Sequence, residues 1–132
     1  MIKQTLQITI LVKNLEEAKR FYTQQLNFEV HTELEFSDDW KYLTVTPDKS
    51  NETVIELCES KTPEQHNLIG NQGGGQVLLM FESDDIEKDY QEMKIRGVEF
   101  NGVPKEVPGG NGVGFKDLYG NQFDLFQPDN TN

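Results

Sequence analysis

The chain has 132 residues, with 12 Lys+Arg against 23 Asp+Glu, a formal net charge of −11 at pH 7, two His and one Cys. That length suits one domain, and a single Cys excludes an intramolecular disulfide framework and any Cys-rich zinc or iron–sulfur site. The acidic excess argues against nucleic acid or an anionic membrane as main partner; with no apolar run near the ~20 residues of a membrane span and no signal-peptide pattern at the start, the expectation is a cytoplasmic protein.

The first predicted strand carries Leu6, Ile8, Ile10 and Val12 in alternation with Gln7, Thr9 and Leu11. Asn14 stands at a helix N-cap position, followed by Leu15, Ala18, Phe21, Tyr22 and Leu26 at helical spacing. Phe28 to Phe36 alternates again, Ser37-Asp38-Asp39 reads as a turn, and Trp40 to Thr46 as the returning strand. Pro47 to Asn51 is a second turn, and Thr53 to Glu59 a fourth strand. Ser60 to Gly75 is polar and ends in glycines, which predicts a linker.

The same order then returns. Gln76 to Glu82 reads as a strand, and Ser83 or Asp84 caps a helix that runs to Arg96, with Gly97 as its stop. Val98 to Phe100 begins a strand, and Val103 to Gly112 is a Pro/Gly-rich loop. Val113 to Lys116 and Gln122 to Gln127 form a hairpin around Asp117 to Asn121, and the tail is polar. Gln7-Ile8-Thr9-Ile10 matches Gln76-Val77-Leu78-Leu79, and Val54-Ile55-Glu56-Leu57 matches Gln122-Phe123-Asp124-Leu125. The expectation is an α+β fold of two βαβββ modules, over about 1–60 and 76–128, joined by a linker over about 61–75 and followed by a tail at 129–132. Cup-shaped mixed sheets would surround one pocket.

Alternation sorts the faces. If Ile8, Ile10, Ile55 and Leu57 face the helix, then Gln7, Thr9, Glu56 and Cys58 face away. In the second module Gln76, Leu78, Met80, Gln122, Asp124 and Phe126 face away by the same rule. Trp40 and Tyr42 join the first set from the third strand, where they could stack on an aromatic or cationic ligand, though Trp40 borders a turn and could equally cover the sheet edge. A half-apolar lining with a few polar groups is the composition of a small-molecule pocket. Cys58 has no His or Lys beside it in sequence and reads as an inert thiol. The run Gly73 to Gly75 precedes a strand and lacks a following Lys, so it is not a phosphate loop.

Two motifs carry a family resemblance. Val12-Lys13-Asn14-Leu15, then Phe21-Tyr22, then Leu26-Asn27-Phe28, resembles the opening of the vicinal-oxygen-chelate superfamily. Phe115-Lys116-Asp117-Leu118-Tyr119-Gly120-Asn121-Gln122-Phe123-Asp124-Leu125 resembles its closing run. That superfamily includes glyoxalase I, fosfomycin- and bleomycin-resistance proteins and extradiol dioxygenases. The resemblance implies a divalent-metal site held by His, Glu, His and Glu, whose positions fall on Gln7, Glu56, Gln76 and Asp124. Both imidazoles are absent and one Glu is shortened, while His31 and His66 fall on no ligand position.

The expectation is therefore a small-molecule-binding protein without a transition metal or other cofactor, its ligand cationic or aromatic, and the protein a homodimer. The alternative is a glyoxalase- or lyase-type enzyme with an oxygen-rich site for an ion such as Mg or Mn, in which Glu56 acts as general base.

Overall fold

The computed structural model describes residues 1–130, so the last two positions of the predicted 129–132 tail lie outside the described residues. The chain divides into two compact units, Met1–Ile69 and a second that begins at Gly70. Each carries one mixed sheet, of four and five strands respectively.

In the first unit, Ile10 and Val12 are fully buried on β1 (Gln7–Val12), as the alternation requires. Leu6, expected on the same face, lies before the strand and is exposed. Asn14 caps α1 (Leu15–Arg20) by accepting from the Glu17 N–H at 2.9 Å. The helix continues as a π-helical turn over Phe21–Gln25, which buries the adjacent Phe21 and Tyr22 together. Asn27, at φ 60°, ends it in the left-handed region.

β2 (Glu29–Ser37), β3 (Trp40–Thr46) and β4 (Val54–Glu59) complete a sheet of order β1-β4-β3-β2. The β1–β4 pair is parallel and the others are antiparallel. Leu43, Val45, Ile55 and Leu57 face inward with Ala18, Phe21 and Tyr22. Each such aliphatic side chain contributes roughly 1.5–3 kcal/mol of burial. β2 is an edge strand and leaves Val30, Leu34 and Phe36 exposed.

The predicted linker is not wholly irregular. Thr62 accepts from the Gln65 N–H at 3.1 Å and Pro63 stands at the first helical position, which starts α2 (Pro63–Leu68) against β1. The short pattern hides this helix because none of its residues is buried.

The second unit repeats the plan with β5 (Val77–Glu82), α3 (Ile86–Ile95), β6 (Glu99–Phe100), β7 (Lys105–Val107), β8 (Gly110–Lys116) and β9 (Gln122–Pro128). The order is β5-β9-β8-β6, with β7 paired to β8. Asp85, one residue beyond the predicted caps, accepts from the Lys88 N–H at 3.2 Å. Gly97, at φ 91°, stops the helix in a conformation that favours glycine. The core is aromatic: Phe123 stands with its ring centroid 5.5 Å from those of both Phe81 and Phe115, and Phe100 lies 5.8 Å from Phe115. Ile86, Tyr90 and Met93 of α3 are buried as well.

Two departures shape the open face. The predicted loop at 103–112 holds β7 and the start of β8, which pair Lys105↔Gly112 through Val107↔Gly110. In β5 a register shift between Val77 and Leu79 breaks the alternation: Val77 pairs with Gln122, Leu79 with Phe123 and Met80 with Asp124. Paired residues share a face, so Val77 and Met80 stand on the open side while Leu78 falls at the irregularity. Gln76 precedes the strand and is exposed, its N–H donating to the Gly73 carbonyl. Among the described residues, no helix is long and apolar enough to cross a membrane.

Candidate functional site

In the first unit the open face of the sheet is organised around Glu56. Thr9 and Thr44 are its ladder partners on either side. The Gln7 amide N–H donates to Glu56 Oε1 at 3.1 Å, and the Thr9 hydroxyl donates to the same oxygen at 3.2 Å. The Tyr42 hydroxyl donates to the Gln7 carbonyl oxygen. Both ends of the Gln7 amide are thereby used, which fixes its orientation and leaves one Glu56 oxygen, Oε2, without a hydrogen bond among the described residues.

Glu56, Cys58 and Trp40 also line a cleft of about 360 Å³, with Asp38, Asp39 and Glu59 against Lys41 and Lys61. Four acids to two lysines favour a cation there. Trp40 is 60% exposed and its ring lies 4.5 Å from that of Phe36, so an indole face stands at the rim. Burial, and then the Glu56 charge, push the Cys58 thiol up, which keeps it protonated and unreactive at neutral pH. His31 Nδ1 lies 3.3 Å from the Thr44 hydroxyl, and His66 belongs to α2.

The second unit's open face differs in kind. Met80, Asp124 and Phe126 line a cleft of about 390 Å³ whose remaining wall comes from Val103, Lys105, Val107 and Pro108, and whose base is Gly112 and Gly114. Gln122 stands nearby, its side-chain oxygen accepting from Asn101 Nδ2 at 2.9 Å. Asp124 accepts no hydrogen bond and pairs with no cation among the described residues. Asn101, Val103, Lys105, Val107 and the two glycines were not among the residues expected from alternation. The available signal was the strict Gly110-Asn111-Gly112-Val113-Gly114-Phe115 pattern, which is a strand with one bare face.

Of the residues expected to line a site, Gln7, Thr9, Tyr42 and Glu56 are joined in one network, and Trp40 and Cys58 share the adjoining cleft. Met80, Asp124 and Phe126 come together in the second unit; Gln122 lies at its edge, and Gln76 and Leu78 do not line that cleft. The donor set at Gln7, Glu56, Gln76 and Asp124 does not fit a transition metal. Neutral amide oxygens bind such ions poorly, the Gln7 oxygen already accepts from Tyr42, and Glu56 Oε1 already accepts twice. Among the described residues no three of His, Cys, Asp and Glu gather where they could hold a metal ion.

Comparison with known proteins bears on the family and the fold. The family model described as Glyoxalase/Bleomycin resistance protein/Dioxygenase superfamily matches residues 4–125. An uncharacterized protein of Shewanella frigidimarina (strain NCIMB 400) is 36% identical over 128 residues, 96% of this chain and 95% of that protein. Among solved structures, UcmS2 superposes with a TM-score of 0.83 at 26% identity, over 96% of this chain and 98% of that one. TnmS3, an antibiotic binding protein from Streptomyces sp. CB03234, gives 0.80 at 27% identity, over 97% and 98%.

Proposed function

The chain belongs to the glyoxalase/bleomycin resistance protein/dioxygenase superfamily, and from that premise we propose that it is a small-molecule-binding protein that works without a transition metal and prefers a cationic, partly apolar ligand. The observation that carries this reading is the Glu56 arrangement. Two side-chain donors hold one carboxylate oxygen, and the other is left toward a cleft with an indole at its rim and a surplus of acids. A carboxylate fixed before the ligand arrives loses little freedom on binding, and a cation beside Trp40 gains from the ring face as well. The antibiotic-binding description of TnmS3 supports the class of function.

The test is a thermal-shift series with aromatic ammonium compounds, run beside Mg, Mn, Ni, Zn and Ca. Aromatic cations are expected to raise the melting temperature, and Glu56→Gln to remove most of that rise. Tight, near-stoichiometric metal in protein purified without added metal, lost in Glu56→Ala, would overturn the proposal in favour of an oxygen-rich metal enzyme.

A further inference from the structure

We propose that the bare face of β8 in the second unit is the seat for a flat ring system carrying one positive charge, with Gly112 as the floor and Asp124 as the counter-ion. The inference rests on the reading of the chain as a ligand-binding protein and adds a second seat, separate from the Glu56 cleft, with the shape its ligand must have.

Glycine inside a strand weakens the strand, so a run of alternate glycines needs a reason. At Gly110 the reason is internal, because an added Cβ would lie 2.0 Å from the Gln127 carbonyl oxygen. At Gly114 it is partly internal, since a Cβ would lie 3.1 Å from Asn101 Nδ2. At Gly112 no such reason exists. A Cβ there would meet the Leu125 carbonyl oxygen and a Val107 methyl at 3.5 Å and the Phe126 ring at 3.9 Å, all ordinary contacts, and its φ is not one that favours glycine. The fold would accept a side chain at Gly112, and the space it would occupy is the cleft.

The form of that space follows from the sheet order. β8 is the floor; Asp124 and Phe126 of β9, with Met80 of β5 beyond them, form one side, and Val107 of β7 forms the other. Successive residues on one strand face are roughly 6.8 Å apart, so Gly112 and Gly114 leave a bare strip about as long as a fused aromatic ring pair. Asp124 Oδ1 stands 3.6 Å from the position of a Gly114 Cβ, at the end of that strip. Asp124 makes no ion pair or hydrogen bond among the described residues, Lys105 of the same cleft included, so a carboxylate flanked by Met80, Val107 and Phe126 complements a protonated nitrogen borne on a ring.

The experiment uses the full chain, with 9-aminoacridine as a flat cation and acridine as its neutral counterpart at neutral pH, binding being read by fluorescence titration. 9-Aminoacridine is expected to bind at least about tenfold more tightly than acridine. Asp124→Asn should abolish that preference without affecting acridine. Gly112→Leu should remove both ligands, and Gly112→Ala, which meets only ordinary contacts, should weaken both without lowering the melting temperature of the parent protein. Failure of 9-aminoacridine to bind, or binding unchanged in Gly112→Ala, Gly112→Leu and Asp124→Asn, would overturn the proposal. Binding lost in Glu56→Gln but retained in all three second-unit variants would overturn it and leave the general ligand-binding reading standing.

Discussion

The two units share a plan and differ in what they leave on the open side of the sheet. In the first, polar side chains satisfy one another: Tyr42 holds Gln7, Gln7 and Thr9 hold Glu56, and one carboxylate oxygen is left over. In the second, the face has been stripped to backbone along β8, and Asp124 stands without a side-chain partner among the described residues. One face is organised in advance by hydrogen bonds and the other by the absence of side chains. A repeat therefore conserves the buried face, where packing dictates residue type, and lets the open faces diverge.

The largest effects are expected in the two cores. Phe123→Ala is expected to cost about 3–5 kcal/mol, because it removes the ring at the centre of the second unit's aromatic cluster. Leu57→Ala should cost the first unit about 2–5 kcal/mol. Urea unfolding measures both, and a loss under about 1 kcal/mol for Phe123→Ala would contradict the core assignment. The glycines of β8 come next. Gly110→Ala should destabilise by about 1–3 kcal/mol through its clash with the Gln127 carbonyl, whereas Gly112→Ala should be neutral or stabilising by up to about 1 kcal/mol. Equal effects at the two positions would remove the distinction between a structural and a vacant glycine.

The helix caps should be alike in the two units. Asn14→Ala and Asp85→Ala are each expected to cost about 1 kcal/mol in chemical denaturation. The smallest effect concerns Cys58. Its thiol is pushed up by burial and then by Glu56, so at a given pH the folded protein holds less thiolate than a free cysteine. Alkylation by iodoacetamide should be slow at neutral pH and accelerate only above the ordinary thiol range. Glu56→Gln should speed it a few-fold by removing the neighbouring negative charge. Rates equal to those of a free cysteine would contradict the placement.

Much of the fold was legible because burial writes itself into sequence with a period. Ile10, Val12, Ile55 and Leu57 alternate since one face of each strand is covered, and Asn14 and Gly97 mark helix ends by local chemistry. The open face of the first unit was legible for the same reason, as the complement of the buried one. In the second unit the alternation rule failed where a register shift after Val77 breaks the period, bringing Val77 to the open side beside Gln122. β7 escaped notice because none of Lys105, Glu106 and Val107 is buried, so no periodic signal exists to read. The cleft at Gly112 was hidden because a site made by missing side chains looks like loop composition until the strand pairing is known.

The exposed edge of β2 has a consequence for colloidal behaviour. A strand whose outer edge is unpaired and that displays Val30, Leu34 and Phe36 is a template for edge-to-edge association. Glu29 and Glu35 lie along the same strand, while Glu33 is ion-paired with Lys19 at 2.9 Å, so two such edges repel while the first two acids are charged, over a screening length of about 8–10 Å. Near the sequence pI of about 4.5 the chain's net charge vanishes, and that repulsion falls away. Light scattering should rise in that pH range and at high ionic strength, and Phe36→Lys should suppress it. The acidic excess thus serves the sheet's outer margin as well as its clefts.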